Sequence, residues 1–491
     1  RDALGRSFCP LCTELQEEGK DGLQHITSCR RVYEKILETL AEKSRKAGRV
    51  CPYIPNAYQK VRDEYINVKA PDALKETQED IPRIIEAANP GSRCQVDLQI
   101  FLRILDGATV GRPLTATEYI QLLQTNEIQD YECIWDRFVI CHMDEMSEIL
   151  EYGLPKLPIL NLPELNNERN QPISEYLHYL SLKSKLDVHD FGLDADQGRM
   201  PMELDSETAI ARLQDEHDTT PINLLSLKGP SKADIIPPCL PGKYEFNILS
   251  SDLGMEKRSA RECDLAQSST FRLLAKCGAV SLEHVDRHGM MTTVHVDEGE
   301  KLWVLWPGKG PADFSAFLRV KQQRDQGTGY HGPGDEIASR PPLVLLLQRG
   351  ARLWQPPATI HCPYSKKNVL MSGVMLWHAR GIRQILETTE ILLDEAYDLS
   401  NEPPAWSFII KMRRILDIWS RDQGGYRWGS KEEWENCKLL FEKLVPRLEN
   451  DEEIIESNRI YTQSIVAEAK AIGSANTKRG KKALARKSRR A

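Results

Sequence analysis

Between about Tyr176 and Ile385 the apolar residues come in short runs: Val294-His295-Val296, Leu302-Trp303-Val304-Leu305-Trp306, Leu343-Val344-Leu345-Leu346-Leu347 and Val369-Leu370-Met371. Runs this short cannot make buried helices, which take about ten residues or more, and they are rich in β-branched and aromatic side chains. Glycines and prolines stand between them. Such segments bury their apolar faces only by pairing with one another, so the stretch predicts a β-sandwich or barrel. The flanks read differently. Leu98-Phe101-Leu102-Leu105 and Tyr119-Ile120-Leu122-Leu123 recur at helical spacing, and Pro155, Pro158 and Pro163 then interrupt the pattern. Beyond Ile385 the helical signal returns through Ile391-Leu392-Leu393, Ile409-Ile410 and Leu439-Leu440-Leu444. The expected class is α+β: a helical region over 32–165, a β domain over 176–385 and a second helical region over 386–470. The last region can dimerise or pack on the β domain, and packing is the favoured expectation. No solenoid repeat is visible.

The 491 residues suffice for about three domains, and with 41% hydrophobic and 28% charged residues nothing in the composition departs from a water-soluble protein. No apolar run approaches the ~18 residues a bilayer requires, so no membrane partner is expected. The chain opens on Arg1 with no apolar leader, which reads as a fragment without a secretory address. The formal charge of -7 hides an asymmetry. Lys478, Arg479, Lys481, Lys482, Arg486, Lys487, Arg489 and Arg490 crowd the segment 471–491, leaving an acidic body ahead of a basic tail read as disordered. Such a body is a poor general nucleic-acid binder, although the tail can make weak phosphate contacts or engage a nuclear import receptor.

Of the twelve cysteines, only Cys9, Cys12 and Cys29 are clustered, which argues against a disulfide framework and for metal use in a reducing compartment. Cys9-X2-Cys12-X12-His25-X3-Cys29 has the spacing of a structural zinc site. A turn can aim both thiolates of Cys9 and Cys12 at one ion, while His25 and Cys29 share a helical face. Four protein ligands leave no open position. The acidic insert with Glu14, Glu17 and Glu18 favours protein docking or folding over DNA contact for this module at 1–31, which resembles a zinc finger with Cys as its last ligand.

A second constellation lies in the β domain. His284-Val285-Asp286 puts an imidazole and a carboxylate on one face of an extended segment, and His361 follows in a turn-rich stretch, Trp354-Gln-Pro-Pro-Ala-Thr-Ile-His361. Two imidazoles and one carboxylate suit ferrous iron and leave three positions open, enough for a bidentate keto acid and dioxygen together. Lys301 heads a buried run and needs an anion. With the hydroxyl of Ser281 it can hold the distal carboxylate of 2-oxoglutarate. His295-Val296-Asp297 is a competing His-X-Asp pair, disfavoured because Asp297 falls in a turn. His288 and His331 read as rim residues, and His378 as a cavity or packing residue.

Through Ala279-Val-Ser-Leu-Glu-His284-Val-Asp286-Arg-His-Gly289-Met-Met-Thr-Thr293, Gly299-Glu-Lys301-Leu-Trp303 and the proline-rich approach to His361, the chain resembles the JmjC oxygenases. That resemblance covers about Tyr176 to Ile385 and implies a cupin-like, jelly-roll double-stranded β-helix. It makes His284, Asp286 and His361 the iron ligands and catalytic centre, and assigns Lys301, Ser281 and Thr293 to oxoglutarate. The implied activity is hydroxylation or N-demethylation of a protein, with a histone lysine demethylase as one case. Two other classes stay open: a catalytically silent JmjC-like chromatin adaptor, and a cupin-like metal enzyme that does not use oxoglutarate. The zinc module and basic tail tilt the expectation to a nuclear protein substrate such as a histone tail, whose positive charge suits the acidic body. The cofactors expected are Fe(II), 2-oxoglutarate and Zn(II).

Overall fold

The computed structural model describes residues 55–125, 134–163, 170–195, 201–215, 217–227, 270–308, 310–326, 340–394, 407–421 and 428–452, together with 248, 399–400, 402, 404–405 and 455–456. The zinc-spaced Cys9, Cys12, His25 and Cys29, the basic tail and His331 lie outside them. The chain divides into two units, Arg1–Asp63 and Glu64–Ala491. The described part of the first belongs to helix α1 (Pro55–Glu64). Among the described residues no helix is long and apolar enough to cross a membrane.

In the second unit a single π turn, Tyr65–Lys69, leads into α2 (Ala70–Ala87), and α3 (Arg93–Leu105) follows with Ser92 capping its first turn through Gln95 N–H. Helices α4 (Ala116–Thr125) and α5 (Met143–Tyr152) then alternate with three short strands, β1 (Arg112–Leu114), β2 (Arg137–Ile140) and β3 (Ile159–Asn161). The region 32–165, expected to be helical, is therefore mixed. The prolines expected to mark a boundary bracket a strand instead. Further on lie α6 (Ile173–Leu180), β4 (Lys185–Asp190), β5 (Met202–Asp205), α7 (Ser206–Gln214), β6 (Ile222–Leu227) and β7 (Thr270–Ala275). The strands that carry the expected apolar runs are β8 (Met291–Glu298), β9 (Glu300–Trp306), β10 (Leu343–Gln348), β11 (Arg352–Gln355), β12 (Ile360–Ser365) and β13 (Val369–Leu376), with α8 (Phe314–Asp325) between β9 and β10.

Ten strands form one sheet in the order β1-β2-β3-β11-β8-β13-β7-β6-β4-β5, parallel only at β1-β2 and β2-β3. The other three form an antiparallel sheet, β10-β9-β12. From β8 onward the chain changes sheet at almost every turn. The first change is made at Gly299, whose φ of 93° belongs to the left-handed region and whose absent Cβ would lie 2.0 Å from Asn368 O. A hydrogen bond from Trp303 Nε1 on β9 to Gln355 Oε1 on β11, 2.9 Å long, shows the two sheets facing each other.

Burial follows the alternation. Met291, Trp354, Val374 and Leu376 turn to the outer face of the large sheet, where Tyr119, Met146 and Ile149 of α4 and α5 cover them. Each such side chain, fully buried, contributes roughly 1.5–3 kcal/mol. On the small sheet Tyr364 stacks on Phe101 of α3 at 5.0 Å. The apolar edge strand β10 is bracketed by the Tyr65 phenol, which donates to Leu346 O (3.1 Å) and accepts from Leu346 N–H (2.8 Å). The C-terminal helices α9 (Ile382–Asp394), α10 (Phe408–Ser420) and α11 (Lys431–Asn450) share a core with Met290 and Trp377, so they pack on the β domain as favoured above.

Candidate metal centre

The segment 279–285 is held to β12 by isolated bridges, Val280 to Tyr364 and His284 to His361. Ser281 N–H donates to Pro363 O (3.0 Å), while His284 and His361 exchange both backbone bonds at 3.0 and 2.9 Å. Three residues, 281–283, thus answer two, 362–363, between the bridges. This is a bulge, and it turns His284 toward β12 while Glu283 is buried in an ion pair with Arg324 of α8. A tight turn after Asp286, in which Gly289 N–H donates to Asp286 O (2.7 Å), starts β8.

One ligand atom from each of His284, Asp286 and His361 can be chosen so that all lie within 4.8 Å of one another, the one such cluster of three among the described residues. The rings of His284 and His361 are 4.1 Å apart, and His361 Nε2 is 3.7 Å from Asp286 Oδ1. Each imidazole has its other nitrogen against a carbonyl: His284 Nδ1 is 2.7 Å from Leu282 O, and His361 Nδ1 is 3.1 Å from Thr359 O. The tautomer that donates from Nδ1 to these carbonyls leaves both Nε2 lone pairs free for a cation. Burial lowers His284 to a pKa of about 3 and His361 to about 4, so both stay neutral, as a ligand must. Burial pushes the Asp286 carboxyl up, a cost that a cation beside it offsets. The donor set fits a divalent metal ion.

Lys301 is buried at the head of β9, beside Ser365 of β12 and two residues before Trp303. Trp303 lies parallel to His361, 5.5 Å between ring centres and 4° between planes, so the side chains at 301, 303, 361 and 365 share the inward face. The ammonium is close enough to depress both His284 and His361 electrostatically. It pairs with no carboxylate among the described residues, and burial brings its pKa down to about 7. Ser281 lies opposite Pro363 on the same inward face, half-buried.

Thr293 is not brought to the site. It pairs with Trp354 and Val374, whose side chains belong to the helix-covered core, and its own hydroxyl is buried there. Its neighbour Thr292 faces inward and donates to Asp286 Oδ2. Alternation makes the two positions exclusive. The competing pair is engaged elsewhere: Asp297 accepts from Arg272 (3.0 Å), Ser372 (2.7 Å) and Gln171 N–H (3.1 Å), and His295 Nε2 meets Asn170 Oδ1 at 2.9 Å. His288 is no rim residue. It is buried at φ 56°, stacks on Phe408 at 4.2 Å, accepts from Ala405 N–H at Nε2 (2.9 Å) and meets Thr389 Oγ1 at 3.1 Å. His378 packs in the interior, accepting from Arg380 N–H at 3.1 Å.

Gln355 escaped the reading of the sequence. It touches Trp303, Asp286 Oδ2 (3.4 Å) and His361 Nδ1 (3.1 Å) from the end of β11. The signal was an amide following Leu353-Trp354 in a buried run, since a buried amide needs partners.

The chain matches no family model and no curated protein.

Proposed function

We propose that the chain is an Fe(II)- and 2-oxoglutarate-dependent oxygenase acting on a protein side chain or N-methyl group. The observation that carries the reading is the buried Lys301 ammonium, without a carboxylate partner among the described residues, on the same inward face as the His284–Asp286–His361 cluster. A metal cluster beside a fixed cation is a receptor for an anion that also chelates the metal. The resemblance to the JmjC family names that anion as 2-oxoglutarate and the metal as iron. A double-stranded β-helix is supported by the order β11-β8-β13-β7 in one sheet, facing β10-β9-β12 in the other, with the segment 279–285 bridged to β12.

In this reading His284, Asp286 and His361 would hold the ion, and the keto acid and dioxygen would be its co-substrates. Iron bound there supplies oxidative decarboxylation of the keto acid to succinate and CO2, coupled to hydroxylation of a substrate C–H bond. The protein's part is to bind and orient. Lys301 fixes the far carboxylate, Trp303 flanks His361 and keeps water from its ring, and the carbonyls of Leu282 and Thr359 hold both imidazoles in the ligating tautomer. Hydroxylation of an N-methyl carbon releases formaldehyde, so hydroxylase and demethylase share these residues. A histone tail in the nucleus is the substrate proposed, on the strength of the zinc-spaced cysteines and the basic tail in the sequence.

The test is succinate formation from oxoglutarate by protein loaded with iron under anaerobic conditions, wild type beside His361→Ala, with and without methylated histone peptides. Turnover that survives unchanged in the variant sinks the assignment. Peptide-stimulated turnover with formaldehyde release identifies a demethylase.

A further inference from the structure

The Asp286 carboxylate is not free to choose how it meets a cation. Thr292 Oγ1 donates to Oδ2, and Gln355 Nε2 lies 3.4 Å from the same oxygen. Gln355 is itself oriented. The Trp303 indole N–H can only donate, so the atom 2.9 Å away is the amide oxygen and the NH2 is turned toward Asp286 Oδ2 and His361 Nδ1, the latter 3.1 Å away. Oδ1 is left as the atom facing His361 Nε2. All four side chains are buried, so no solvent competes for these bonds.

We infer that Thr292 and Gln355, the latter aligned by Trp303, are positioning residues that hold Asp286 as a one-oxygen metal ligand. A carboxylate chelating through both oxygens takes two of six positions on an octahedral ion. With two imidazoles that leaves two open, too few for a bidentate keto acid and dioxygen at once. Saturating Oδ2 with two donors disfavours that mode and fixes the carboxylate plane. Gln355 also binds the ligands to the opposite sheet: its contacts join β11, β9 and the turn after 285, so the centre is built across both sheets. The inference rests on the reading that the triad holds a metal, and its experiment separates the two.

The experiment is Co(II) titration of the full chain, following affinity and the visible ligand-field spectrum in wild type, Thr292→Val, Thr292→Ser and Gln355→Leu. Loss of partners that orient a ligand weakens metal binding by about 10- to 100-fold. Thr292→Val and Gln355→Leu are expected to weaken Co(II) binding in that range and to alter the spectrum, while Thr292→Ser, which keeps the hydroxyl, restores both. Melting of the metal-free proteins shows whether each variant is folded. Folded variants with wild-type affinity and spectrum overturn the inference and leave the proposed function standing. Wild-type protein that binds no Co(II) overturns both. Wild type that binds Co(II) as expected but, loaded with iron, never consumes oxoglutarate overturns the proposed function alone.

Discussion

Lys301 and Ser365 stand opposite each other in neighbouring strands, both buried and both on the face that carries His361. The Ser365 hydroxyl has no hydrogen-bond partner, and the Lys301 ammonium has no counter-ion among the described residues. A buried ammonium without an anion is unfavourable, and its pKa of about 7 expresses that cost.

Oxoglutarate affinity is therefore expected to weaken as pH rises through about 7, where Lys301 loses its proton. The ligand-free protein behaves oppositely. Its folded-state pKa lies below the ordinary 10.5, so the unfolded chain binds more protons between the two values and this residue's contribution to stability rises with pH over that window. Lys301→Gln should weaken binding about 10- to 100-fold, in line with a charge-assisted hydrogen bond worth about 1.5–3 kcal/mol, and flatten the pH profile. Calorimetric titration with N-oxalylglycine from pH 6 to 9 checks both; a steep profile retained in the variant contradicts the assignment.

Acid should destabilise the metal-free protein from about pH 6.5 downward. His284, His288, His361 and His378 are all held below the ordinary imidazole value by burial, so the unfolded chain gains protons that the folded one refuses. Urea midpoints measured between pH 5 and 8 should fall on the acid side, and a flat dependence would argue against neutral, buried imidazoles.

Asp297 is expected to matter for folding and not for metal. Its carboxylate pairs with Arg272 in the interior, and removing one partner of a buried pair costs about 3–5 kcal/mol. Asp297→Asn should lower the urea midpoint while metal affinity per folded molecule stays at the wild-type value. A selective loss of metal binding would instead revive His295 and Asp297 as ligands.

Ala358 occupies a left-handed conformation, φ 55°, three residues before His361, and its N–H donates to Gly289 O at 3.0 Å. An alanine there costs about 1–2 kcal/mol, and glycine removes that cost against a larger unfolded-state entropy. Ala358→Gly is expected to be neutral or to stabilise by up to about 1 kcal/mol. Ala358→Val adds β-branching to the strain and should destabilise. Chemical unfolding of the pair checks the order, and the reverse order would contradict it.

The three clustered residues were legible in the sequence because His284 and Asp286 stand two apart in an extended segment and His361 follows a proline-rich stretch. What it hid was phase and length. Thr292 and Thr293 are adjacent hydroxyls, and only the pairing of β8 with β11 and β13 says which one faces inward. Strands of three residues such as Arg112-Pro-Leu114 are too short to show a period, so the large sheet's extension through β1, β2 and β3 went unread. The bulge before His284 was equally silent, since one extra residue leaves no mark in composition. His288 looked like a loop residue because it adjoins glycine, whereas its partners Thr389, Ala405 and Phe408 are more than a hundred residues away in sequence.

The phenol of Tyr65 against Leu346 has a consequence for how the protein behaves in concentrated solution. Strand β10, Leu343-Val-Leu-Leu-Leu-Gln348, carries no charge and no proline, and among the described residues one of its edges is paired by no strand. A bare edge of that composition is a template on which other chains can stack into fibrils. Tyr65 occupies both backbone groups of Leu346 in the middle of that edge, and Thr109 takes up Val344 N–H nearby at 2.7 Å. The helical segment before the β domain thus works as a guard against self-association, and a β domain trimmed to start after it would be expected to precipitate with its metal ligands intact.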